Sequence, residues 1–153
     1  MDQDVYRRTY REMNERPCVY EKSLLSRNCS CSQAKKVCIA EREGVHCGSD
    51  EAQAQCIELM ETLRKQARFA LKSNDNQGVL PHGKAMRLQV GGLRGLFLLL
   101  HPDEERAPDC IDDVYGLINQ AQECFNGLEN LPYQRLIQQV AAYKGRIRGQ
   151  GKQ

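Results

Sequence analysis

The chain has no tryptophan and only three phenylalanines and three histidines among its 153 residues. It also lacks H-E-x-x-H, a nucleophile–base constellation and a carboxylate pair in an apolar setting. With so few aromatic side chains to build a substrate pocket, these absences favour a carrier, accessory or binding protein over a stand-alone enzyme. Excess charge is missing too. Lysine and arginine total 22 against 20 acidic residues, a net charge of +2, so nucleic acid is not expected as a partner of the whole molecule.

Long apolar runs are absent. The longest, GLFLLL after Arg94, is far short of the about 20 residues a membrane span needs. The opening stretch MDQDVYRRTYREMNERP alternates charges without an apolar segment, which predicts no secretory signal and a soluble, cytoplasmic product. β-branched residues are sparse and strict apolar–polar alternation is missing, which argues against an extensive sheet.

What the sequence does have is cysteine, eight in all. A chain of this length can bury a core without covalent staples, and in a reducing compartment clustered cysteines serve as ligands or redox centres more often than as disulfides. Four fall in the stretch RNCSCSQAKKVCIAEREGVHC, from Arg27 to Cys47.

The rest of the pattern reads as helical. Asp2–Glu15 forms a first helix stopped by Pro17, Val19–Ser26 makes two further turns, and Ser32–Glu43 is a short helix with Ser32 as N-cap and Gly44 as its stop. Ser49, Asp50 and Glu51 start the clearest helix, running to about Leu71 with Ala52, Cys56, Leu59, Leu63 and Ala67 on one stripe. SNDNQG is a turn. Further helices span about Pro81–Leu100, Asp109–Leu128 and Leu131–Ile147. The predicted fold is therefore all-α: one domain over residues 1–153, with a cysteine-rich portion (1–48), a bundle of about four long helices (49–148) and a basic tail (149–153). From Asn130 onward there is no acidic residue, while Arg135, Lys144, Arg146, Arg148 and Lys152 are cationic. Such an end can dock a protein partner or simply be a solvated terminus.

This map sorts the cysteines. Cys18, Cys29, Cys31 and Cys47 lie in breaks and loops, where the backbone can bring several thiolates to one point, so they are the expected ligand set. Cys38, Cys56 and His46 are second choices, and Cys110 and Cys124 read as small core residues. Four thiolates satisfy either a tetrahedral zinc ion or a 4Fe–4S cluster. The tight C-x2-C knuckles usual at structural zinc are missing, which tilts the reading toward iron–sulfur.

Cys29, Cys38, Cys47 and Cys56 recur every nine residues, one residue short of the twin-cysteine motifs of disulfide-linked helical hairpins. Nine helical steps turn a side chain by about 900°, to the opposite face, so such cysteines cannot all meet one partner helix. A hairpin pivoting at Cys47 would still set Cys38 level with Cys56.

Two other features invite chemistry. His82 opens a helix beside Lys84, Arg87 and Arg94, a place for an anion or an ordinary first turn. VGGLRG matches no phosphate loop, and glycines in mid-helix cost about 1 kcal/mol each against alanine, so a close neighbour, helix or cofactor, is expected against them. The function expected is a small iron–sulfur protein, an electron carrier or accessory subunit of a redox complex, working with a protein partner. The alternatives are a zinc-stabilised interaction module and a thiol/disulfide redox sensor.

Overall fold

The segment expected to be a helix from Ser32 to Glu43 is one arm of a β-hairpin. In the computed structural model, which describes residues 14–39, 41–72 and 78–144 together with Val5, Arg7, Arg8 and Tyr10, strand β1 (Ala34–Ile39) pairs antiparallel with β2 (Arg42–Cys47). The register runs from Ala34 opposite Cys47 to Ile39 opposite Arg42. Val37, Ile39 and Val45 are β-branched and suit a pleated, half-buried surface. Glu41 reverses the chain in a left-handed conformation, at φ 71°. Gly44, read as a helix stop, sits inside β2, where a Cβ would press on the Tyr10 ring at 3.2 Å.

A third extended piece lies on the free edge of β2. Cys18 donates its backbone N–H to the Val45 carbonyl at 2.9 Å, and Cys47 donates to the Arg16 carbonyl at 2.7 Å. Pro17 stands opposite His46 between these two bonds, where the ladder asks no N–H of it.

The helices are α1 (Glu21–Leu25), α2 (Asp50–Gln66), α3 (Arg68–Leu71), α4 (His82–Met86), α5 (Gly92–Leu100), α6 (Val114–Phe125) and α7 (Tyr133–Ala142). The Ser49 side chain caps α2 by accepting the Ala52 N–H at 3.2 Å. A π turn over Arg87–Gly91 joins α4 to α5, so the segment predicted as one helix is continuous but locally widened. α6 begins at Val114 rather than Asp109. Residues 28–30 run beside Ile111 instead, with Ser30 donating to the Ile111 carbonyl and Ile111 to that of Asn28.

The all-α bundle of four long helices is thus corrected. The fold is mixed α/β, a two-stranded sheet packed with helices, of which α2, α5, α6 and α7 exceed two turns. One core joins the two portions: Tyr20 and Cys29 from the N-terminal part pack with Leu59, Leu63, Leu93, Ile118 and Leu136. Glycine permits a close crossing of helix backbones. A Cβ on Gly91 would lie 2.6 Å from the Val140 Cα, and one on Gly95 would lie 3.0 Å from the Leu136 Cα. The neighbour expected against VGGLRG is helix α7. The predicted first helix, the SNDNQG turn and the basic tail fall wholly or largely outside the described residues.

Candidate metal-thiolate site

Four of the eight cysteines line one small cavity, and each arrives on a different piece of chain. Cys18 comes from the edge segment and Cys47 from the end of β2. Period-two alternation places them on the same side of the sheet, because Pro17 and His46 are paired on the other. Cys31 follows the loop zipped to Ile111, and Cys56 projects from α2 one turn beyond Ala52. The cavity holds about 20 Å³, room for about one water. Besides the four sulfurs its wall is mostly apolar, with Val19, Tyr20, Leu24, Ala52 and Val114 contributing. The Gln53 amide, also at the wall, donates to the Pro17 carbonyl at 3.0 Å.

The electrostatics follow from this setting. Burial pushes the Cys18 thiol up to about 12, opposed by the Tyr20 backbone N–H aimed at its sulfur. Burial also raises Cys31, although the backbone N–H groups of Gln33 and Tyr115 both point at its sulfur. Tyr115 belongs to the first turn of α6, so a helix N-terminus faces Cys31. Cys56 is raised further, by burial and then by the proximity of Cys18, Cys31 and Cys47. The Cys47 thiol donates to the Ser49 carbonyl at 3.2 Å. Among the described residues, no lysine, arginine or histidine lines the cavity to stabilise a thiolate.

Of the expected ligand set, Cys18, Cys31 and Cys47 line this cavity. Cys29 is buried beside the cavity, close to Cys18, Cys110 and Cys31, and does not line it. Cys56, a second choice, lines it instead. His46 turns away, on the opposite sheet face, with its Nδ1 held 2.9 Å from the Asn14 Oδ1. Cys38 is exposed near the hairpin tip, so it is not level with Cys56, and the chain reverses at Glu41 rather than at Cys47. Cys124 is exposed rather than core, and Cys110 is half-buried with its sulfur 3.9 Å from the Ser30 hydroxyl. The four sulfurs surround the cavity without converging on one point: among the described residues, no three His, Cys, Asp or Glu side chains are set to hold a single metal ion.

The cations near His82 are engaged elsewhere. Lys84 Nζ donates to the Lys72 carbonyl at 3.0 Å, and Arg87 reaches the Val140 and Ala141 carbonyls at 3.4 and 3.3 Å, each at a helix C-terminus. Among the described residues no helix is long and apolar enough to cross a membrane. The chain matches no protein-family model, and neither the curated proteins nor the solved structures include a significant match.

Proposed function

We propose that this chain is a small iron–sulfur protein in which Cys18, Cys31, Cys47 and Cys56 ligate a 4Fe–4S cluster, and that it serves as an electron carrier or as the accessory subunit of a redox complex. The observation that carries the reading is the meeting of four cysteines, from four separate segments, around one apolar cavity. An internal void of that kind offers water few partners, whereas interiors are otherwise close-packed. Bound iron supplies the positive charge that four thiolates around an apolar cavity need and that no side chain among the described lining residues provides.

One further feature supports the assignment. Backbone N–H groups already aim at the sulfurs of Cys18 and Cys31, the donors that stabilise metal-bound thiolate. Cys18 and Cys31 are the half-exposed members of the set, so an electron would pass to a partner on their side.

Raised thiol pKa values disfavour the redox-sensor alternative, because thiolate is the reactive form. Anaerobic purification with iron, sulfide and zinc analysis on one sample tests the proposal. Brown protein with iron and sulfide in equal amounts is expected. A colourless sample carrying zinc, or no metal, would overturn it.

A further inference from the structure

A groove between the turn at residues 26–28, helix α4 and the end of α7 gathers positive charge with nothing beside it to balance that charge. The three stretches that build it, 22–28, 81–87 and 141–144, hold five lysines and arginines and no carboxylate, in a chain whose net charge is only +2. His82, Lys84 and Arg87 line its wall. Lys84 and Arg87 stand three residues apart on a continuous helical stretch, which sets them on one face. Among the described residues neither is paired with an acidic side chain.

The carbonyls that engage these two side chains hold them in place without exhausting them. Lys84 gives one of its three N–H groups to Lys72, and Arg87 spends its Nε and one nitrogen of its fork on Val140 and Ala141. The Asn28 amide, also at the wall, gives Ser26 one of its two N–H groups. The groove encloses about 820 Å³, within the range of about 300–1,000 Å³ of small-molecule sites and far more than one inorganic anion fills. The buried Met86 and the half-buried Tyr143 ring give it an apolar side.

We infer that this groove binds a phosphorylated small molecule, with the phosphate oxygens on His82, Lys84 and Arg87 and the organic part against Met86 and Tyr143. A guanidinium fork takes phosphate oxygens two at a time and an ammonium adds a compact charge, whereas a single carboxylate would leave most of these donors idle. The groove shares no lining residue with the cysteine cavity, so the inference stands whatever that cavity holds.

Pyrophosphate and ADP, each titrated into the full chain and followed by amide NMR, test it. Both should shift the Asn28, Gly83 and Lys84 resonances, ADP should also shift Tyr143, and added salt should weaken both. Lys84→Gln should lose about tenfold in affinity for each, the worth of one charge-assisted hydrogen bond. Gly83→Glu is the sharper variant. A Cβ at that position meets nothing within 4 Å, so the fold has room for it, while the new carboxylate faces the same anion and should abolish binding. Binding of neither probe, or unchanged affinity in Lys84→Gln or in folded Gly83→Glu, would overturn the inference. So would a protein that binds single-stranded DNA and neither small probe.

Discussion

Replacing Gly91 by alanine tests a joint where backbone meets backbone. The added Cβ would stand 2.6 Å from the Val140 Cα, 2.8 Å from the Gln139 carbonyl oxygen and 3.0 Å from the Val140 nitrogen. The closest of these is about 0.8 Å short of ordinary van der Waals contact, and all three obstacles are backbone. No rotamer change relieves them, so α7 must retreat, and it carries Leu136 and Val140, both fully buried. Overpacking of this kind costs about 1–3 kcal/mol, and rigid obstacles place it at the upper end. Alanine's better helix propensity offsets about 1 kcal/mol. A net loss of about 2 kcal/mol is expected, or about 4–8 °C in melting temperature for a domain of this size. Urea denaturation of the variant should show a lower midpoint at unchanged slope. Gly83→Ala is the control, because a Cβ there meets nothing within 4 Å and only the propensity gain remains. A Gly91→Ala protein as stable as wild type would refute the close-packing account of VGGLRG.

Iron and sulfide should fall to background in Cys56→Ser and stay near the wild-type level in Cys29→Ser, which removes a sulfur beside the cavity rather than one in its wall; the reverse pattern would restore the loop-only ligand set. In metal-free protein at neutral pH, mass spectrometry after brief alkylation should find Cys38 and Cys124 modified, as both are exposed. Cys29 and Cys56, buried, and Cys18, half-buried, all with raised thiol pKa values, should lag far behind them, and equal labelling of all five would contradict the packing. The same shifts set a pH dependence. Thiols near 9 when unfolded and about 12 when folded, as for Cys18 and Cys29, contribute stability that is complete below pH 9 and is lost as pH climbs toward 12. The melting temperature of metal-free protein should therefore decline above pH 9, less steeply in Cys29→Ala, and a rise over that range would sink the assignment.

The parts of the fold that could be read from sequence are those whose signal is local and repeated. Helix α2 announces itself through the Ser49 cap, the acidic first turn and the stripe through Cys56, Leu59 and Leu63, all of which the structure keeps. The hairpin sends no comparable signal. Ala34, Lys35 and Lys36 are good helix formers, and β1 buries only Ile39, on the opposite face from the Val45 and Cys47 that β2 buries. No single-face alternation results, so pairing and the cover supplied by Tyr10 decided the conformation. Sequence alone also sets His46 in a link beside Cys47, whereas in β2 the two face opposite sides.

The place of Cys56 in the cavity wall was hard to read for a different reason. Loop cysteines were preferred because a straight helix cannot turn several thiols toward one point. That argument limits how many ligands one helix supplies, and a site assembled from four segments asks each for only one. Cys18, Cys31, Cys47 and Cys56 come together only after the Pro17 edge has paired with β2, the Cys31 loop has zipped to Ile111, and α2 has docked. A ligand set so scattered in sequence has no preformed counterpart in the unfolded chain, so any metal it binds stabilises the joints between those segments. On the proposed function, loading the cluster should therefore raise the melting temperature. Chelation should reverse the rise and loosen first the edge segment and the Cys31 loop. Hydrogen exchange at the Cys18 and Cys47 amides, which form the edge ladder, would report it. Equal protection of those amides with and without metal would mean that the four cysteines meet for packing alone.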